Sequence, residues 1–236
     1  MLDHLGFNVG DYAATREEQD AFALESQRRA QEALANGAVA AEITPVVIKT
    51  RRGEEIIDTD EHPRAGLTIE KLAAMRPAFD AGGTVTAGNS SGINDGSCML
   101  VLTRASVAAE RGLTPKAELV DFTKVGIEPE IMGYAPKPAI EKILERNGLT
   151  ADQIGWFEIN EAFAAQAIPV IRDLELDEAK VNPLGGAIAW GHPIGATGAI
   201  ITARLIENMV KGGHEYGLAS MCIGGGQAVA SLWRLV

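Results

Sequence analysis

The first strong pattern opens at Thr15. Thr15 and Glu18 form a T-x-x-E capping box, and AFALESQRRAQEALANG continues from it as a helix, polar on one face, that stops at Gly37. Pro45-Val46-Val47-Ile48 reads as a short strand, followed by a charged turn region over 51–65. Residues 1–65 hold little core-forming material and read as a peripheral excursion. From Leu67 the character changes. A helix from Thr68 to about Phe79 leads into the turn-rich GGTVTAGNSSGINDG and then Ser97-Cys98-Met99-Leu100-Val101-Leu102, a continuous apolar run expected as a strand covered on both faces. A brief helix over 106–111 ends at Gly112.

Beyond Thr114-Pro115, where a domain boundary is expected, β and α patterns alternate. AELVDF and IGWFEI read as strands, PAIEKILERNG and AFAAQAIPVIRDL as helices. GGAIAWGHPIGATG precedes a helix over 196–211, and the strands LASMCI and AVASLW close the chain around a triple glycine. This alternation predicts a layered α/β sheet protein.

Charge narrows the function. With 21 Lys+Arg against 32 Asp+Glu the net charge is −11, which repels phosphate backbones and anionic bilayers, so neither nucleic acid nor membrane is expected as a partner. The opening MLDHLGFNVGDY has no basic n-region or cleavage site and does not read as a secretion signal. Two cysteines, Cys98 and Cys222, are too few for a disulfide framework, and the cytosol is the expected setting. His4, His62, His192 and His214 lack metal-ligand spacing, and no phosphate-loop or dinucleotide motif occurs, so neither a metal nor a bound cofactor is expected.

Glycine is the compositional anomaly: 26 residues, clustered at 82–96, 185–198 and 224–226, where the backbone must turn sharply or approach something closely. Three reactive side chains sit at such junctions: Asn160 after a strand, His192 before a helix, and Cys222 before the triple glycine. A thiol that shuttles a proton, with an imidazole and an amide stabilising an oxyanion, supports acyl chemistry. Each also has a plainer reading. Cys222 can be a small core residue, Asn160 a cap for a helix beginning at Glu161, and His192 a structural histidine. Pro193 pushes His192 towards extended geometry, with its ring away from the helix.

Together these segments resemble the thiolase family, which makes and cleaves β-ketoacyl-CoA thioesters. The resemblance rests on NEAFAAQ (160–166), GGAIAWGHPIGATGA (185–199) and CIGGGQ (222–227). RPAFDAGGTVTAGNSSGINDG (76–96) and TREEQDAFALESQRRA (15–30) reinforce it. It implies a thiolase fold of αβαβα layers, with 1–65 as part of the loop domain, 66–113 as the end of the amino-terminal core domain, and 114–236 as the complete carboxy-terminal core domain.

By the same resemblance, Cys222 is the general acid or base at the α-carbon of acetyl-CoA. His192 assists thiol activation and donates to the thioester oxygen. Asn160 holds a water in that oxyanion hole, and the Gly224 amide serves a second hole. Ser91, with Ala87 and Gly88 near it, meets the pantetheine of the coenzyme A substrate; Phe79, Met132 and Phe163 line its channel; Arg64 falls near the nucleotide end. The family's nucleophilic cysteine belongs to a segment upstream of everything matched here, and Cys98, at a packing position, does not replace it. The expectation is therefore an acyltransferase of acetyl-CoA and acyl-CoA that is complete only with a nucleophile-bearing amino-terminal half, forms a homo-oligomer when whole, and is inactive alone. A CoA-thioester-binding subunit without catalysis is the alternative; a Cys–His hydrolase lacks an orienting partner beyond Asn160.

Overall fold

Reciprocal capping sets the first element. The Glu18 amide donates to Thr15 Oγ1 at 3.1 Å and the Thr15 amide donates to the Glu18 carboxylate at 2.7 Å, opening helix α1, Arg16–Ala35. Gly37, at φ 71°, follows its end. The computed structural model describes residues 14–236; the amino-terminal stretch tested above for a secretion signal, and His4 with it, lie outside them.

Helix α1 corrects the picture of a peripheral segment. Its buried face carries Gln19, Asp20, Ser26 and Gln27 among Ala23, Ala30 and Ala33. Ala23 packs with Ala164 and Ile188, and Gln27 Nε2 donates to the Ile188 carbonyl at 3.2 Å. A face buried through polar groups gives no hydropathy signal, so the patterning marked the helix but not its burial.

Strand β1, Val46–Thr50, pairs antiparallel with β2, Gly53–Ile57, which occupies part of the expected turn region. Helix α2, Ile69–Ala73, begins where expected, with Thr68 as its cap, but stops well short of Phe79. Pro77 disfavours helical geometry at the residue before it. The apolar run 97–102 forms no strand. Met99 and Val101 are 88% and 91% exposed, because no strand among the described residues pairs with the run. Cys98 is half-buried there, and burial pushes its thiol up. Helix α3, Ala105–Glu110, follows.

The principal sheet comprises β3 (Ala117–Gly126), β4 (Trp156–Ile159), β5 (Tyr216–Ile223) and β6 (Gln227–Leu235), in the order β3-β6-β5-β4. Strands β4 and β5 are parallel, and β6 runs antiparallel to β5 and β3. Val181 adds a parallel bridge to Phe157.

Helices α4 (Pro136–Asn147) and α5 (Ala164–Asp173) cover one face, where Ile140, Ile143, Val170, Phe157, Leu218 and Leu232 form the main core. Helix α7 (Thr197–Gly212), preceded by the single turn α6 (Ala187–Trp190), covers the other through Leu205, Met209, Ala219 and Trp233. Strands β3, β4 and β5 share a direction, so their carboxyl ends open on one edge, where α/β sheets gather functional side chains. Among the described residues no helix is long and apolar enough to cross a membrane.

Candidate active site

Asn160 follows β4 and its amide extends the ladder to Ser220 of β5 at 3.0 Å. It caps nothing: α5 starts at Ala164, and the Gln166 side chain accepts from the Ala162 amide at 3.0 Å to satisfy that entry. Alternation along β4 sends Phe157 and Ile159 into the α4/α5 core and Trp156, Glu158 and Asn160 to the α7 side.

On that side the Asn160 Nδ2 lies 3.4 Å from His192 Nε2. The His192 ring also meets Thr197 Oγ1, through Nδ1, at 2.7 Å. The ring therefore packs against the first turn of α7, contrary to the orientation expected from Pro193. Thr197 is part of that turn, and its hydroxyl reaches back for the ring. The Thr197 hydroxyl in turn donates to the Pro193 carbonyl at 2.9 Å. Its one proton is thereby used, so Oγ1 accepts from His192 Nδ1–H. The neutral imidazole then presents a bare Nε2 beside Asn160, and partial burial lowers its pKa, keeping it neutral and ready to take a proton. Asn94 Oδ1 and the Gly92 carbonyl both accept from the His192 amide at 3.2 Å, tying the loop before α7 to the glycine-rich segment.

Cys222 lies at the carboxyl end of β5, the strand beside β4, buried and with its thiol pushed up to about 11 by that burial. No hydrogen bond links it to His192 or Asn160 among the described residues. The turn Gly224–Gly226 follows, with Gly225 and Gly226 at φ 86° and 85°, and Gly226 leaves no room for a side chain against the Ile127 carbonyl. Gly224 is exposed on this turn.

The segment 87–91 is laid against the entry to α5. The Ser91 amide donates to the Ala162 carbonyl at 3.0 Å, Ser90 bridges Phe163, and the Ala164 amide donates to the Asn89 carbonyl at 2.9 Å. Gly88 is buried where a Cβ would sit 2.6 Å from Met75 Sδ, while Ala87 is exposed. Phe79 and Phe163 meet edge to face at 6.4 Å, and the helical turn bearing half-buried Met132 is held by Gln166 Nε2 at the Gly133 carbonyl, 3.4 Å away. Arg64 stands apart: it lines an open groove of about 480 Å³ with Leu24, Gln27 and Leu67, and this groove shares no residue with the cavity beneath Asn160. The sequence reading missed Thr197, Asn94 and Glu158, all of which contact or adjoin this centre.

The comparisons with known proteins fall on the same segments. Residues 113–234 match the thiolase carboxy-terminal domain family and residues 8–106 the thiolase amino-terminal domain family. The chain belongs to the thiolase family. It is 52% identical over 220 residues to an acetyl-CoA acetyltransferase of Thiocystis violacea, covering 93% of this chain and 56% of that one. It is 50% identical over 227 residues to a beta-ketoadipyl-CoA thiolase of Acinetobacter baylyi, covering 94% and 57%.

Among solved thiolase-fold structures, the Bacillus anthracis acetyl-CoA acetyltransferase superposes with a TM-score of 0.96 at 47% identity, and human mitochondrial 3-ketoacyl-CoA thiolase with 0.92 at 36%. Each covers all of this chain and 60% of the other. The chain thus spans under two thirds of the length of these relatives. As a thiolase it has the mixed α/β architecture that the alternating elements implied.

Proposed function

We propose that this chain supplies the carbon–carbon half of an acyl-CoA:acetyl-CoA C-acyltransferase, catalysing Claisen condensation of acetyl-CoA or thiolysis of a 3-ketoacyl-CoA. The observation that carries the reading is the Asn160–His192 pair at 3.4 Å, with the ring fixed by Thr197, beside the strand that bears Cys222 near its carboxyl end.

In thiolysis a cysteine thiolate adds to the C3 carbonyl and the C2–C3 bond breaks. Its electron pair passes to the thioester as an enolate, and Cys222 delivers its proton to C2 to give acetyl-CoA. Condensation runs the same step backwards, with the Cys222 thiolate removing the α-proton. Burial suits both directions: a thiol pushed up to about 11 stays protonated until used and forms a strong base once ionised. A proton-bearing His192 and a water held by Asn160 would meet the enolate oxygen, in a site where neighbouring dipoles are already fixed. Between steps, the bare Nε2 of His192 can take a thiol proton.

The acyl-carrying cysteine would come from a further thiolase segment, whether of one longer polypeptide or of a companion chain. Cys98, on its exposed irregular run, does not stand at the site. Ser91, Ala87, Gly88, Phe79, Phe163 and Met132 would hold the pantetheine. Arg64, whose guanidinium has no protein partner among the described residues, would meet a phosphate of coenzyme A. A homo-oligomer in the cytosol completes the proposal.

The test is exchange of the acetyl-CoA methyl protons with D2O, followed by NMR, on the chain assembled with a cysteine-bearing amino-terminal thiolase segment. Exchange that is lost in Cys222→Ala and falls at least tenfold in Asn160→Ala supports the reading. Exchange at the wild-type rate in Cys222→Ala overturns it, and binding of acetyl-CoA without exchange or thiolysis favours a non-catalytic subunit.

A further inference from the structure

Behind the Asn160–His192 pair, between β4 and α7, lies a cavity of about 30 Å³ whose walls include Glu158, Asn160, Trp190, Thr197 and Arg204. Two polar groups reach it from the same face of β4. Asn160 is 2% exposed, and its Oδ1 is buried with no hydrogen-bond partner. An orphaned buried acceptor costs about 1–3 kcal/mol, so such an atom calls for a donor. Its own Nδ2 cannot turn to help, because that nitrogen faces His192.

Glu158, also 2% exposed, accepts from Trp156 Nε1 at 2.8 Å through Oε1, and its second oxygen has no protein partner among the described residues. The neighbouring cation does not reach it. Arg204 pairs with Glu42 at 2.9 Å and lies 4.9 Å over the Trp190 ring. A water needs roughly 10–15 Å³ and two to four polar partners, and this cavity offers the room and both partners.

We propose that this cavity holds an ordered water bridging the Glu158 carboxyl to Asn160 Oδ1, which makes Glu158 a positioning residue for the carboxamide that faces His192. The water is distinct from one held on the substrate side of Asn160, since it sits at the opposite end of the amide. Chemistry supports the direction of the bridge. Burial, opposed by Arg204 and the Trp156 bond and reinforced by Glu42 and Glu161, raises the Glu158 pKa to about 8, so at neutral pH its hydroxyl donates to the water and the water donates to Oδ1. With Oδ1 engaged behind, Nδ2 is held forward. The functional value of that orientation rests on the reading of Asn160 and His192 as an oxyanion site, but the bridge itself does not.

The test therefore uses no acyl-CoA. A high-resolution crystal structure of the chain at neutral pH is expected to show a water within hydrogen-bond distance of both Asn160 Oδ1 and a Glu158 oxygen, retained in Glu158→Gln and absent in Glu158→Leu. In NMR the Asn160 side-chain NH2 signals should keep their single resolved position in Glu158→Gln and shift or split in Glu158→Leu. A merely structural Glu158 would not produce that pattern of rescue. Either a dry cavity in the wild-type protein or an unmoved Asn160 NH2 in Glu158→Leu overturns the proposal. If Glu158→Leu does not fold, the density in the wild type and Glu158→Gln decides alone. Loss of methyl exchange with the water in place would count against the acyltransferase reading and leave the bridge standing.

Discussion

Replacing Glu158 by glutamine should change how stability depends on pH. The native carboxyl, buried on the α7 side of β4, titrates near 8 against an ordinary value of 4.5. The folded protein therefore binds the proton more tightly than the unfolded chain. Stability is least penalised below pH 4.5, falls as pH rises through the window from 4.5 to about 8, and is flat beyond it. Between pH 5 and pH 7 nearly all of the carboxyl ionises in the unfolded chain and little of it in the native one. At about 1.4 kcal/mol per pKa unit, that costs the wild type about 2–3 kcal/mol over this interval. The substituted carboxamide has no proton to lose, and its oxygen can still accept from Trp156. His192, shifted downward by its own burial, acts in both proteins and cancels in the difference, whereas Glu161, whose charge reinforces the Glu158 shift, is part of the coupling that the substitution removes. Urea denaturation of both proteins, followed by tryptophan fluorescence, should show Glu158→Gln gaining about 2–3 kcal/mol on the wild type between pH 5 and pH 7. Parallel pH curves would refute the reasoning, because an ionised Glu158 could not act as the donor behind Asn160.

Two further perturbations probe the glycine turn and the histidine. Gly226→Ala forces a side chain into φ 85° and against the Ile127 carbonyl, and should destabilise by about 3 kcal/mol in the same denaturation assay. Gly224→Ala, with open space at its Cβ and no positive φ, should cost less than about 1 kcal/mol; equal losses would show that the turn is not clamped at Gly226. Thr197→Val removes the acceptor from His192 Nδ1, so ring ¹⁵N shifts should move from a single Nδ1–H tautomer to a mixture, whereas a wild-type ring carrying its proton on Nε2 at neutral pH would contradict the hydrogen-bond assignment.

How far the sequence disclosed this molecule depended on where each element found its partners. Most elements of 114–236 were legible because their apolar patterns are buried by other elements of the same segment: Ile140 and Ile143 of α4 share a core with Leu218 and Leu232 of the sheet. The junction residues were legible as candidates too, since Asn160, His192 and Cys222 place reactive groups where apolar segments give way to glycine-rich turns. Thr197 and Glu158 were not, because a threonine in a helix and a glutamate in a strand look like ordinary surface residues until a ring or a cavity is found against them. The α1 face failed for the opposite reason: Ser26 and Gln27 are buried by hydrogen bonds to Glu161 and Ile188, which no hydropathy period encodes.

The run 97–102 shows what an apolar pattern can and cannot determine. Continuous hydrophobicity states that a segment must be covered on both faces, but says nothing about which residues cover it. A strand is defined by its neighbours, and among the described residues this run has none: Met99, Val101 and Leu102 are exposed along an irregular path. The exposed face of β3, with Leu119 and Phe122 at 43% and 51%, carries the same demand. Unpaired edges and bare apolar surface of this kind favour association with other polypeptide. The sites that this chain assembles for itself, at Asn160 and His192, are those whose supports, Thr197, Asn94 and Ser220, all lie within it.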